Sequence, residues 1–245
     1  MTKLPTIDHP LFDVNVPSTK KKIKIRPMLV KEEKLLLMAK VSGTNADIYK
    51  AIKQVVNNCL AQTDIDVNKL TLFDLEYIFL KLRATSVSNV VKVIYKDAED
   101  NKDYPFDIDL DKLEVKFPED TSLKVATGTA KGFVMKYPLA DLYNSDAFNK
   151  SDAPEATLID ELILNCIDSY FDGETVYKFS DNKKDDVKTF VDNLDLTSYN
   201  KIRDFVSNLP RLFYSIKYKN SLDHDRTSEM NTLSDFFTLW WAETV

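Results

Sequence analysis

Hydrophobic and polar positions change rhythm several times along this chain, and each change marks a predicted element. From Leu11 to Val16 they alternate as in a half-buried strand. Pro17-Ser18-Thr19 is turn chemistry, after which Ile23 and Ile25 alternate with Lys22, Lys24 and Arg26. A hairpin is expected, and Pro27 ends it because proline has no amide hydrogen to give to a ladder. Glu32 and Glu33 then fall in the first turn of a helix from about Val30 to Lys40, where the positive end of the helix dipole favours carboxylates. Leu35-Leu36-Leu37-Met38 follows without a polar break and covers every side of that helix. Such a turn needs burial all round, within the domain or against a partner. Flanked by a hairpin and a second helix, it is assigned mainly to the core.

The second helix should follow a stop at Gly43 and a cap at Thr44 or Asn45 and run to about Ala61. Ile48, Ile52, Val55, Val56, Cys59 and Leu60 form one stripe along it. Thr71, with Asp74 three residues on, opens a third helix ending near Lys81 and Arg83. Val90 to Tyr95 and Phe106 to Leu110 read as a second hairpin around polar residues 97–103. A strand pair is expected within Val125 to Met135. Leu158 to Phe171 reads as a helix with Ile159, Leu162, Ile163, Cys166, Ile167 and Tyr170 inward. Val187 to Leu194 reads as a short helix, and Thr197 caps another that Pro210 ends. The class is therefore α+β, helix-dominated with two or three β-hairpins. It divides into an amino-terminal hairpin and helical unit with a second hairpin (1–117), a connector with short strands (118–154) and a second helical unit with an aromatic carboxy-terminal helix (155–245). Asn165-Cys166 echoes Asn58-Cys59, and Ile216-Lys217-Tyr218-Lys219 echoes Val93-Ile94-Tyr95-Lys96. The echoes suggest an internal duplication of a helix-helix-hairpin unit, with coincidence as the alternative.

One local order is more specific. The strand ending in Arg26-Pro27, then Leu29-Val30-Lys31-Glu32-Glu33-Lys34 and an apolar helix, with Asn58-Cys59 later, resembles the baseplate hub protein family of T-even-type contractile-tailed phages. The resemblance is strongest from Leu4 to Leu60 and continues more weakly through most of the chain. It implies a hub subunit or hub assembly protein that acts by protein–protein binding during tail morphogenesis. The setting implied is the host cell cytoplasm, with the virion baseplate as the other location. Partners implied are other phage baseplate hub proteins, a second copy of this chain, or a related hub assembly protein. The alternatives are a permanent structural component of the baseplate, or an enzyme or nucleic-acid-binding protein without recognisable motifs.

Composition narrows the picture. With 245 residues, 44% hydrophobic and 29% charged, the chain has the make-up of a globular protein. A net charge of -6 gives no general attraction to nucleic acid, and the basic run from Lys20 to Lys24 is short and interrupted. No run of about twenty apolar residues predicts a membrane span. Cys59 and Cys166 lie on apolar helix faces, so buried reduced thiols are expected in place of a disulfide.

Candidate chemistry is sparse, and neither enzyme activity nor a cofactor or metal is expected. Asp97, Glu99 and Asn101 have the first spacings of a calcium loop, but Lys102 and Ile108 stand where its glycine and bidentate glutamate belong. A solvated hairpin tip is the reading. His224, between Asp223 and Asp225, has no second histidine or cysteine nearby and reads as a charged loop. Gly128-Thr129-Ala130-Lys131-Gly132 lacks phosphate-loop spacing and reads as a turn. The remaining signal is apolar. Phe236, Phe237, Trp240 and Trp241, together with Leu239, place more apolar surface near the carboxyl end than a free tail carries, and they are the candidate partner-binding residues.

Overall fold

The computed structural model describes residue 4 and residues 7–42, 45–61, 65–150 and 153–233; Gly43, Thr44 and the aromatic segment from residue 234 lie outside them. Among the described residues the chain forms seven helices and eleven strands, all paired antiparallel in small sheets, an α+β architecture. The first alternation forms the expected hairpin, β1 (Phe12–Asn15) with β2 (Lys22–Ile25), and Val14 lies opposite Ile23 with both side chains buried. α1 (Val30–Ser42) and α2 (Asn45–Cys59) follow. The end of α2 is stitched back to β2, since the Arg26 N–H donates to the Cys59 carbonyl and the Ala61 N–H to the Lys24 carbonyl, both at 2.9 Å.

α3 (Leu72–Ser86) begins where the capping signal placed it. Thr71 Oγ1 accepts the Asp74 N–H at 3.3 Å, a cap that contributes about 1 kcal/mol. The Asp74 carboxylate in turn accepts the Ser18 N–H at 2.9 Å and the Ser18 hydroxyl at 2.5 Å, which ties the β1–β2 turn to this helix. The second predicted hairpin is β3 (Val90–Lys96) with β4 (Asp103–Asp109). Beyond the short β5 (Glu114–Lys116), β6 (Lys124–Gly128) and β7 (Lys131–Met135) form the strand pair expected in the connector. A tight turn (Ala140–Asn144), α4 (Asp146–Asn149) and α5 (Glu155–Cys166) come next.

The helix expected to reach Phe171 stops at Cys166, and Ile167–Asp172 is β8. The stretch IDSYFD is rich in residues that suit a pleated surface, and β7 offers it a backbone ladder that a helix would leave unpaired. The Lys136 N–H seals the junction by donating to the Cys166 carbonyl at 2.7 Å. A two-residue turn with Gly173 at φ 61 leads into β9 (Thr175–Lys178), completing a four-stranded sheet in the order β6-β7-β8-β9. α6 (Lys184–Asp192) and α7 (Leu196–Ser207) follow. Asp195, not Thr197, is the cap of α7, its carboxylate taking the Ser198 N–H at 2.9 Å.

Two apolar cores result. Phe133, Met135, Ile163, Cys166, Ile167, Val191, Ile202 and Val206 form the smaller, between the four-stranded sheet and α5, α6 and α7. The larger joins β1–β2, α1–α3 and β3–β4, and it is completed from the far end of the chain. β10 (Arg211–Lys219) returns to pair with β5 on one side and β11 (Asp225–Met230) on the other, and Leu212, Ile216, Met230 and Leu233 enter that core. The sequence echoes survive locally: Lys96 and Lys219 each lead into a hairpin turn with a left-handed residue, Asn101 at φ 59 and Asp223 at φ 63. The element order does not repeat. α2 is followed by a further helix in the large core, whereas α5 runs straight into β8. Cys59 and Cys166 are both buried and free, and burial pushes their thiols up to about 11 and about 12.

Candidate partner interface

Arg26, Pro27, Leu29, Glu32, Asn58 and Cys59, among the residues singled out at the amino-terminal end, converge on one buried node, whereas Val30, Lys31, Glu33 and Lys34 do not. Arg26 Nη2 donates to Glu32 Oε1 at 3.0 Å and to the Asn58 carbonyl at 2.8 Å, while Nη1 donates to the Pro27 carbonyl at 2.8 Å and to Glu32 Oε2 at 3.3 Å. Cys59 Sγ lies 3.6 Å from Nη1. Glu32 Oε2 also accepts the Leu29 N–H at 2.9 Å, one half of a capping box at the start of α1. Burial alone would raise the Glu32 carboxyl, but the Arg26 hydrogen bonds, the Leu29 N–H and the charges of Arg26 and Lys31 hold it below its ordinary range. Burial opposes the Arg26 charge likewise, and Glu32 outweighs it, so the guanidinium is raised. The node fixes three things to each other: the exit of β2, the first turn of α1 and the last turn of α2. Removing either partner would strand a buried charge, at a cost of about 3–5 kcal/mol. Asn58 contributes chiefly its backbone, and Pro27 turns the chain into α1.

Held in this way, α1 does not bury its apolar turn. Leu36 is 2% exposed, but Val30 is 66%, Met38 61% and Val41 87% exposed, and Leu37 also faces water. The assignment of Leu35 to Met38 mainly to the core is therefore corrected. The side carrying Glu32 and Leu36 faces α2 and the large core, and the Arg26–Glu32 pair at the base of the helix fixes that orientation. Val30, Lys34, Leu37, Met38 and Val41 make one outward stripe, bordered by Lys31, Glu33 and Lys40.

A second uncovered surface lies on the four-stranded sheet. β9 is an outer strand with all four residues exposed, including Val176 and Tyr177. Beside it opens a recess of about 400 Å³ walled by Tyr170, Tyr177, Phe179 and Phe190, with Asp172 and Asp186 at its rim. A larger groove of about 720 Å³ runs between residues 116–126 and α7, and Lys116, Lys124, Lys201 and Arg211 there face Glu119, Asp120 and Asp204.

A family model described as T4 bacteriophage base plate protein matches residues 9–238. The chain belongs to this family. Comparison with curated proteins and with solved structures returned no match. In this base plate protein, then, the residues that suggested the family are largely a structural node, and what that node presents is the α1 face. Of the candidate partner-binding residues, Phe236, Phe237, Trp240 and Trp241 lie outside the described residues.

The polar tip expected at residues 97–103 is exposed at Ala98, Glu99 and residues 101–103, but its base at Asp97 is not. Asp97 is fully buried, because the β10–β11 turn of the base plate protein folds over it: its carboxylate accepts the Tyr218 hydroxyl, Arg226 Nε at 3.0 Å and the Glu99 N–H at 2.7 Å. Glu99 accepts Asn220 Nδ2 at 2.7 Å and lies 2.8 Å from His224 Nδ1, so the exposed charged loop around His224 also fastens the two hairpins to each other. Asp100 accepts the Ser221 N–H at 3.0 Å, the Ser221 hydroxyl at 2.8 Å and the Tyr104 hydroxyl at 2.5 Å. The Tyr218 bond and the turn N–H groups hold Asp97 below its usual range, and burial with Asp97 pushes Tyr218 up to about 12. The sole sequence signal for this clasp was the echo between the two strands leading into it. Among the described residues no group of three His, Cys, Asp or Glu is placed to hold a metal.

Proposed function

We propose that this base plate protein works in building the central hub, binding other hub proteins in the infected bacterial cytoplasm before the wedges join around it. On this reading it is an assembly protein, not an enzyme, and it uses no cofactor and no nucleic acid. The observation that carries the reading is the α1 face, an apolar stripe left in water on a helix that a buried ion pair holds rigid. Full burial of one such side chain stabilises by about 1.5–3 kcal/mol, so the stripe is costly unless something covers it. The β9 edge and the aromatic tail at Phe236, Phe237, Trp240 and Trp241 are assigned as further contacts, since edge strands and clustered aromatics both favour association. By such contacts the protein lowers the barrier to correct hub association.

The test is co-purification from infected cells with identification of the bound proteins, together with immunodetection of the chain in finished virions. Recovery of hub proteins, with their loss in Trp240→Ala/Trp241→Ala while circular dichroism stays unchanged, supports the reading. Recovery of no baseplate protein overturns it. Detection in virions at stoichiometric amounts would move the role from assembly factor to permanent component.

A further inference from the structure

We propose that the outer face of α1 pairs with α1 of a second copy of this chain, antiparallel. The inference rests on the reading of that face as an interface and names a second copy as its occupant, which leaves the β9 edge and residues 236–241 to the other hub proteins. The exposed positions 30, 34, 37 and 41 are spaced by four, three and four residues, the seam of a two-helix coiled coil, and positions 32, 36 and 39 point the other way into the chain's own core. On this seam the flanking positions are Lys31 and Met38 on one side and Glu33 and Lys40 on the other.

The seam chooses its own orientation. In a parallel pair Lys34 would face Lys34 of the second copy at the centre, and Glu33 would not meet Lys40 across the seam. In the antiparallel pair Val30 lies against Val41 of the second copy and Lys34 against Leu37, whose neighbourhood lets the lysine stem pack while its ammonium reaches water. Glu33 then flanks Lys40 of the second copy, and the two-fold axis makes that contact twice. Lys31 flanks Met38. One helix face is thus complementary to itself in both apolar pattern and charge, although the chain as a whole carries a net charge of -6.

α1 has thirteen residues and is therefore about 20 Å long, so the contact belongs to the small interfaces that associate at micromolar concentration. Sedimentation equilibrium of the purified full chain across the micromolar range is the experiment. The expected result is a monomer–dimer equilibrium that Lys40→Glu and Glu33→Lys each weaken about tenfold, because two attractions become two repulsions. The double variant Glu33→Lys/Lys40→Glu, which swaps the charges, is expected to restore the dimer. Circular dichroism on each variant separates lost pairing from lost folding. A chain that stays monomeric throughout, or a dimer indifferent to the single reversals, overturns the proposal. So does a monomeric chain whose capture of hub proteins is abolished by Val41→Asp, since an unlike partner then occupies the face; that result leaves the assembly reading standing. A dimer that behaves as expected but captures no baseplate protein would sink the assembly reading alone.

Discussion

Glu76 is a buried carboxyl with one hydrogen-bond donor beside it. It lies buried on α3 with the Tyr49 hydroxyl at 2.8 Å, and Tyr49 stacks on Tyr143 at a centroid distance of 3.6 Å. Burial outweighs the single hydrogen bond and pushes its carboxyl up to about 7. The folded state therefore binds this proton more tightly than the unfolded chain does. The associated stability is complete below about pH 4.5 and is lost as pH rises through about 7, by ~3 kcal/mol in all. Glu76→Gln keeps an acceptor for Tyr49 without the charge. It is expected to raise the urea midpoint at pH 8 and to leave it nearly unchanged at pH 5. Equal effects at both values would show that the carboxyl is not held protonated. Glu32 is the opposite case, a buried carboxylate kept charged by a guanidinium and an N–H group, and comparison of the two shows that partners, not burial, decide the charge state.

At the scale of elements, the two hairpins β3–β4 and β10–β11 are joined turn to turn through Asp97, Glu99 and Asp100, over 120 residues apart in sequence from the groups they bind. The Asp97 and Asp100 carboxyls are both held below their ordinary values in the folded state. Carboxyls shifted in this direction contribute stability that is present above about pH 4 and lost as pH falls through their folded values. Acid is therefore expected to open the clasp first. Hydrogen exchange at pH 3 should show faster labelling of residues 97–104 and 218–226 than of α3, and Asp97→Asn should flatten the dependence of the urea midpoint on pH below 4. Uniform labelling of the whole large core at pH 3 would mean that the clasp has no separate stability. Since Glu76 favours low pH and the clasp favours higher pH, their sum places greatest stability in the mildly acidic range.

Among the described residues the large core is closed by the β10–β11 hairpin. Leu212 is fully buried, faces Val115 across the β5–β10 pair and belongs to the core founded by β1–β2 and α1–α3. Truncating it leaves a cavity costing about 2–5 kcal/mol, a large share of a typical stability. Leu212→Ala is thus expected to reduce hydrogen-exchange protection in α3 and β3 as well as in β10. Loss confined to β10 and β11 would make the hairpin an appendage to a core that stands without it.

Local chemistry legible in one stretch was enough for the β1–β2 hairpin, the Thr71 cap, the β3–β4 and β6–β7 pairs and the α+β class, because turns, caps and periodic stripes act between residues close in sequence; the order around Arg26 to Lys34 was enough for the base plate family. What exceeded it required knowing which element lies beside which. Ile167–Asp172 has a helical stripe and a strand's composition, and only the open edge of β7 decided between them. The tip at Asp97 looks solvated until a turn from the far end of the chain folds over it. Leu35 to Met38 is apolar on every side, so periodicity could not say which side is covered. The Arg26–Glu32 pair, anchored to the end of α2, sets the roll of α1 and leaves Val30, Leu37, Met38 and Val41 in water.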